Sequence, residues 1–580
     1  MLALLAVAAA AAIAACGIDE AVPPEDAADG SLPDGTVVGP DGDIITPADD
    51  AALPDGALPD GGGSDADASL DAKADADSGV DSGPLSPTYV HRDYNQILST
   101  GQSNSVASGA RPSTTIPHNT IAITSAQPAG YTNVMFDTGV MTSQNCGGAG
   151  CPTGNYVMPT SFLPLVEGDS FFGGAYVVET ASSAMANLIS RIAKDTFEFG
   201  TPGRPTYPVK HDSLVSLHGR SGNKYVCLRK TAQTDPDKTP PPNDCALIYL
   251  PAFTEGMRQV QRGRDLALAQ VPAKTHAVRA VTVIHGESDH NGQLGDFPMR
   301  GSDGVAGKIT NYADALIEWQ QDYEAGAKAI TGQAESVPLL QMGISGWTGP
   351  ATYVGEPESP RYSRLAQQQY EAHVRAPGKV LLVAPGYIID QGTQGGNNPA
   401  SECLHQSIVG ERQIGEYFAK VYTKVVFKGE VWEPVRPKTV SRAGNVVTVV
   451  YHVPVPPLVL DTTLVTLPNK DGFANENYGF EYRVGGHTGT RIGVTNVVVS
   501  GPTTVTITLA SVPVGADQRL LYAQNQRPFG QGCTGPGVRR DGVFEAGGAR
   551  GNLRDSDATA SQYGFYKLYN WGVIYDVLVP

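Results

Sequence analysis

Residues 94–105 read YNQILSTGQSNS. An apolar run suited to a buried strand gives way to Gly101, Gln102, Ser103 and Asn104. Gly, Ser and Asn serve any tight turn, so the hydroxyl of Ser103 has a plain explanation. The alternative is a nucleophile lifted off a strand end toward an open cleft. The stretch alone does not choose, and the choice falls to what accompanies it.

From Tyr94 to about Val426, strand-like runs alternate with helical patterns. The runs after YNQILS (94–99) are SLVSLH (213–218), AVTVIH (280–285), VPLLQMGI (337–344) and KVLLVA (379–384). Helix patterns fall at 179–195, 253–270, 310–330, 359–376 and 408–426. Short apolar strands alternating with helices predict an α/β unit with a parallel sheet covered on both faces. Ligands of such sheets sit beyond the carboxyl ends of the strands, where GQS (101–103) and HGESD (285–289) fall. After Lys428 the pattern changes. GNVVTVVYHV (444–453), TNVVVS (495–500), TTVTITLAS (503–511) and NWGVIYDVLV (570–579) predict an all-β, sandwich-like region. Thr506 and Thr508 alternate there with Val505, Ile507 and Leu509, which predicts one wet face.

The net charge is −18, but residues 17–87 carry 18 acidic residues against a single base, Lys73. The remainder is nearly neutral and lacks the basic footprint of a nucleic-acid binder. Residues 17–87 are rich in Asp, Ala, Gly and Pro, have no aromatic residue and repeat PDG. They read as a disordered acidic tether, because they cannot bury enough apolar surface to offset the entropy of ordering. No EF-hand spacing occurs among their Asp residues. Ahead of them, MLALLAVAAAAAIAACG (1–17) holds an apolar run too short to span a membrane and suited to a signal peptide. No Lys or Arg precedes that run. Ile13-Ala14-Ala15-Cys16 resembles a bacterial lipoprotein signal, with Cys16 as the lipidated residue. The expected division is therefore signal 1–16, tether 17–87, α/β domain 88–427 and β domain 428–580. Export to the cell envelope, with membrane attachment through Cys16, is the expected location.

Six further cysteines in an exported chain suggest disulfides. Cys146–Cys151 and Cys227–Cys245 would close short loops, leaving Cys403 with Cys533. No CxxC pair suggests zinc, and no metal or organic cofactor is expected.

Acyl transfer to water needs a nucleophile, a base, a group orienting the base and donors for the oxyanion. Ser103 is the candidate nucleophile. In SECLHQS (401–407), Glu402 lies three residues before His405, so a turn can bring the carboxylate onto one ring nitrogen and leave the other for a hydroxyl. Asp390 is the alternative orienting acid. Gly219, in LHGRSG (217–222), offers a backbone N–H with no side chain in the way. Glu287 and Asp289 read as acceptors that pin the third strand-end loop.

GQSN (101–104), the glycine of HGRSG (218–222), GESD (286–289) and ExxH (402–405) occur in this order over about 300 residues. Together they resemble the four blocks of SGNH hydrolases, most closely the sialate O-acetylesterase and acetylxylan-esterase-like branch. The resemblance covers roughly residues 88–426 and implies a flavodoxin-like three-layer α/β/α fold. It implies Ser103 as nucleophile, His405 as base, Glu402 as its partner, and the N–H groups of Ser103 and Gly219 in the oxyanion hole. Two positions depart from the family pattern. Glu402 stands where Asp is usual, and His285 stands where the family has a Gln that contacts oxyanion or substrate, with Asn104 as a substitute donor. The expected activity is removal of acetyl groups from carbohydrate. The rivals are an inactive glycan-binding relative and an esterase for non-carbohydrate esters.

Overall fold

The computed structural model describes residues 89–110, 127–141, 158–168, 178–193, 211–231, 251–290, 297–344, 364–390, 405–463, 477–524, 551–564 and 566–580, and the backbone of 170–171, 176–177 and 194–196. The chain divides into two units, Met1–Pro84 and Leu85–Pro580. In the first, only the antiparallel pair Val37–Val38 and Ile44–Ile45 is described.

The second unit opens with β1 (Tyr94–Gly101), β2 (Val134–Phe136) and β3 (Phe162–Pro164). Helix α1 (Ala181–Thr196) leads to β4 (Ser213–Leu217), the short α2 (Tyr225–Leu228) and α3 (Ala252–Leu268). Then come β5 (His276–Ile284), the one-turn α4 (Glu287–His290), α5 (Tyr312–Thr331) and β6 (Leu339–Met342). Helix α6 (Arg364–Arg375), β7 (Val380–Leu382) and α7 (Ile408–Tyr422) complete this part.

The sheet order is β7-β6-β5-β1-β4-β2-β3, parallel throughout except for the β2–β3 pair. Counting only β1, β4, β5, β6 and β7, the order is 2-1-3-4-5, a doubly wound arrangement with its switch point between β1 and β5. The apolar runs at 213–217 and 276–284 carry no alternation because both faces of those strands are covered. Helices α1 and α7 pack on each other, and α3, α5 and α6 form a second packed row. Local signals set the helix ends. Asn311 accepts from the Asp314 N–H at 3.0 Å to start α5, and Gly332, at φ 69°, stops it. Ser407 caps α7 by accepting from the Gly410 N–H at 3.1 Å.

Two differences from the sequence expectations stand out. The edge strands β2 and β3 are three residues each, too short to show a period. The last helical pattern, expected to 426, leaves the α-helix at Tyr422 and closes in a π-helical turn, Thr423–Phe427.

Beyond residue 435 two four-stranded antiparallel sheets follow. The first joins β8 (Arg436–Ala443), β9 (Val446–His452), β10 (Val494–Gly501) and β11 (Thr504–Leu509) in the order β8-β9-β11-β10. The second joins Thr490–Ile492, Phe480–Val484, Gln518–Tyr522 and Tyr575–Leu578 in that order. In β11, Val505, Ile507 and Leu509 are buried and the threonines half-buried, as the alternation predicts. Tyr451 and Tyr575 join the two sheets through their hydroxyls at 2.6 Å. Their apolar faces and the α/β core belong to one continuous hydrophobic cluster.

Candidate active site

Strand β1 lies between β4 and β5, so three turns meet at the carboxyl ends of adjacent strands. The ladder runs on into the turns. Gln102 N–H donates to Ile284 O at 3.2 Å, and Arg220 N–H donates to Gly101 O at 2.8 Å. Gly101 has φ +136°, and a Cβ there would overlap the Ile284 carbonyl oxygen. Gly219 fits for a related reason, since a Cβ there would overlap Ser105 Oγ and lie 3.0 Å from Gly101 O. Both glycines allow the close backbone approach that sets the Gly101–Ser105 turn against Gly219 and Ile284.

Ser103 keeps 7% of its surface exposed, and its carbonyl accepts from the Ser108 N–H at 3.0 Å. Its neighbours are fastened to the HGESD turn. Gln102 Nε2 donates to Glu287 Oε2 at 2.9 Å, and Asn104 Nδ2 donates to Glu287 Oε1 at 3.2 Å. In return, Ser288 N–H donates to Gln102 Oε1 at 2.8 Å. Glu287 is buried, which pushes its carboxyl above the ordinary carboxylate range, while its own backbone N–H, the nearby charge of His405 and the Asn104 amide pull it back. Asp289 accepts from the Tyr225 N–H at 2.9 Å. Both acids therefore act as acceptors that pin loops, as the sequence suggests.

His405 is buried at the entrance to α7. A Cβ on Gly109 would lie 2.6 Å from His405 Cβ, so this loop packs directly on the turn that follows Ser103. Ser407 holds the loop to Asp390, donating its N–H to Asp390 O at 3.2 Å and its hydroxyl to the Asp390 carboxylate. Asp390 is thus joined to the base-bearing loop through Ser407. Glu402 lies outside the described residues.

His285 occupies a core position. Its Nδ1 lies 2.6 Å from Tyr312 Oη and its Nε2 3.1 Å from Asn223 O, with Asp289 Oδ2 at 3.4 Å from Nε2. The ring stacks on Tyr312 and meets Trp319 edge-on. Burial drives it down to about 4, against the upward pull of the Asn223 carbonyl. The arrangement reads as a neutral imidazole donating from Nε2 and accepting at Nδ1.

Sequence reasoning passed over two residues that its own motifs contain. Gln102 binds both Glu287 and Ser288. Arg220 pairs in the interior with Glu255 and donates to the His218 and Gly219 carbonyls at 3.2 and 3.1 Å. The Gly-Gln-Ser and Gly-Arg-Ser spellings were the available signal.

Cys227 is buried in α2 and disulfide-bonded. Cys16, Cys146, Cys151, Cys245, Cys403 and Cys533 lie outside the described residues, so the expected pairings and the lipidation site do too. Among the described residues no group of three or more His, Cys, Asp and Glu is arranged to hold a metal ion, and no helix is long and apolar enough to cross a membrane. A cavity of about 540 Å³ is lined by Tyr94, Asn133, Phe162 and Gln270, among others. It sits at the amino end of β1, roughly 25 Å of strand from Ser103.

No family model and no curated protein matches the chain. Among solved structures, a carbohydrate acetylesterase from Xanthomonas citri is 12% identical with a TM-score of 0.42, over 83% of this chain and 80% of its own. The M. smegmatis aryl esterase is 11% identical with a TM-score of 0.24, over 56% and 97%. The N-terminal part of the bacterial S-layer protein SbsC is 18% identical with a TM-score of 0.12, over 20% and 24%. Identities and TM-scores this low assign neither a fold family nor an activity.

Proposed function

We propose that the chain is a serine esterase of SGNH type, with a flavodoxin-like three-layer α/β/α part, that removes acetyl groups from carbohydrate. One observation carries the reading. A doubly wound parallel sheet brings the GQSN, HGR and HGESD turns together at one end, with the His405 loop packed on the turn after Ser103. In this proposal Ser103 Oγ attacks the acyl carbon and His405 takes its proton. The sugar oxygen then leaves with that proton, and water, activated by His405, releases acetate. A Ser103–His405 hydrogen bond has to form in the reacting complex, as catalytic contacts commonly do only there. Glu402 is the proposed partner of His405, with Asp390 as the alternative.

The oxyanion donors proposed are the N–H groups of Ser103 and Gly219. Asn104, whose Nδ2 donates to Glu287 Oε1, is the proposed substitute donor. His285 acts in this scheme by supporting the loop at Asn223 rather than by touching substrate. The carbohydrate preference and the sialate O-acetylesterase-like branch rest on the motif resemblance alone. Tethering through Cys16 and the acidic segment 17–87 belongs to the same proposal. So do export and the separate role of residues 428–580.

The test is acetate release from acetylated xylan, acetylated sialic acid and a chromogenic acetyl ester, with Ser103→Ala beside the parent. The expected result is release by the parent and a loss of at least about a thousandfold in the variant, at unchanged thermal stability. Release that survives the substitution would sink Ser103 as nucleophile. No release on any ester from folded protein would favour the glycan-binding alternative.

A further inference from the structure

The cavity of about 540 Å³ lies at the opposite end of β1 from the Ser103 turn, and none of the proposed esterase steps uses it. Its walls come from the first residue of β1, the turn before β2, the edge strand β3 with the two residues ahead of it, and the end of α3. Its size is that of a small-ligand site. Tyr94, Tyr131 and Phe162 give it broad apolar surface, with the Tyr94 and Phe162 rings 4.7 Å apart. None of the described residues that line it is charged. Its polar groups are biased toward accepting. Thr132, Thr160 and Ser161 line the cavity, and each hydroxyl gives its hydrogen to a carboxylate: Thr132 to Asp212, Thr160 and Ser161 to Asp137. What those oxygens can still do is accept. Gln270 Nε2 donates to Tyr94 Oη at 2.7 Å, which leaves the Tyr94 O–H as a donor and Gln270 Oε1 as one more acceptor. The walls are preformed. Gln127 Nε2 donates to Asn133 O and Asn133 N–H to Gln127 Oε1, both at 2.9 Å, which braces the turn before β2. The Asn133 side chain is tied in turn to Asn187, Ser190 and the Ser213 N–H.

A ligand that suits these walls is rich in O–H donors, has flat apolar faces for the rings and bears no charge. A purely apolar ligand would cover the acceptors and leave them unpaired, which costs more than the contact gains. An anion would meet the charges of Asp137 and Asp212 behind the hydroxyls. A sugar ring meets all three conditions, with C–H groups on its faces and hydroxyls around its edge. We propose that this cavity is a second binding site, separate from the Ser103 turn, that takes a stretch of uncharged polysaccharide. The sugar faces lie against Tyr94, Tyr131 and Phe162, and the sugar hydroxyls donate to Thr132, Thr160, Ser161 and Gln270. Tyr94 returns one hydrogen bond as a donor. Roughly 25 Å of strand separates the site from Ser103, so it holds chain that is not the sugar being deacylated.

The test is calorimetric titration of the full chain with cellohexaose, xylohexaose and mannohexaose, none of which carries an ester. Spermidine and tetragalacturonate serve as the cationic and anionic comparisons. Saturable binding of at least one neutral hexasaccharide is expected, and Ser103→Ala should bind it as the parent does. Ala269→Trp sets an indole at an exposed lining position just past α3, so it should fill the cavity without disturbing the core. It is expected to weaken binding at least about tenfold at an unchanged thermal midpoint. Tyr94→Phe removes only the hydroxyl and should weaken binding about three- to tenfold, the loss of one hydrogen bond. No saturable binding of any neutral hexasaccharide overturns the inference, as does binding that neither variant weakens. Spermidine or tetragalacturonate bound in their place, and displaced by Ala269→Trp, would overturn the assignment to uncharged sugar. On acetylated xylan, Ala269→Trp should raise KM while kcat/KM on the chromogenic acetyl ester stays parental. That last readout rests on the esterase reading; with a parent inactive on every ester, the titrations still decide the site.

Discussion

The turn that carries Ser103 and the helix that follows His405 are both packed with buried polar groups, yet they are secured from opposite ends of the chain. At the Ser103 turn, Gln102, Asn104, Gly219, Glu287 and Asp289 lie within 190 residues, each in a short motif at a strand end. Helix α7 is secured by a segment some 150 residues downstream. Glu416 accepts from Ser561 Oγ, Gln562 N–H and Tyr566 Oη at 2.6 to 2.7 Å, and Tyr417 Oη donates to Tyr569 O at 2.8 Å. Lys420 pairs with Asp557 at 2.8 Å and binds Leu568 O and Asn570 Oδ1. Gln562 Nε2 also reaches Ala184 O on α1 at 2.8 Å. The difference teaches that the two halves of the proposed machinery can fail separately. Local backbone fit governs the serine, and closure of the chain's last segment governs the helix behind the base.

Gly101→Ala should give the largest effect. The new Cβ meets a strand carbonyl at a backbone angle that L side chains rarely adopt, so either β1 parts from β5 or the turn is lost. A loss of about 3 to 5 kcal/mol is expected, with acetate release falling further than the remaining folded fraction accounts for. Chemical denaturation run beside the ester assay checks this. An active, stable Gly101→Ala protein would break the claim that close backbone approach holds the turn.

Lys420→Met comes next. The substitution keeps the volume but leaves Asp557, Leu568 O and Asn570 Oδ1 without their shared donor in a mostly buried place. Removing one partner of such a pair costs about 3 kcal/mol. Activity should fall only in step with the folded fraction, because Lys420 sits in the last turn of α7 and its partners lie in residues 557–570, away from the contacts that hold the Ser103 turn. Activity lost out of proportion to stability would show that the two regions are not separable.

These two regions also differ in what a reader of the sequence can find. The strand–turn motifs were legible because a parallel strand buried on both faces is a short apolar run, and its end is marked by Gly. Placement of the β5 turn beside the β1 turn follows from the 2-1-3-4-5 order, which alternation leaves open and the motif resemblance implied. Glu287 and Asp289 were read as loop-pinning acceptors, and their partners are the Gln102, Asn104 and Tyr225 donors. His285 was expected to contact oxyanion or substrate because it stands where the resembled family has a Gln, and only its neighbours Tyr312 and Asn223 show both nitrogens engaged. The clasp on α7 had no signal. Ser561, Gln562 and Tyr566 sit in DATASQYGFYK (557–567), which has no strand or helix period, and their partner is a glutamate on a helix that reads as ordinary.

The smallest predicted effect tests the comparison through pH. At the Ser103 end, burial lowers His218 to about 3 and His285 to about 4. A histidine depressed in the folded state contributes stability that is present above its ordinary 6.5 and lost as pH falls toward those values, since the unfolded chain takes up the proton first. On α7 the sign reverses. Glu411 is fully buried, and burial, then the charges of Glu167 and Glu179, push its carboxyl well above the ordinary range. A raised carboxyl stays protonated when the unfolded chain has released its proton, so it costs stability at neutral pH and the cost disappears on acidification. Glu411→Gln removes that proton release while preserving shape. The variant's denaturation midpoint should therefore exceed the parent's at pH 8, and the gap should close by pH 4, below the ordinary glutamate value of 4.5. The gain is net of burying an amide in place of a neutral acid, which keeps it below the two losses above. A gap that is constant across the range would mean that Glu411 titrates alike in the folded and unfolded chain, and the difference in sign between α7 and the histidines of the Ser103 end would be lost.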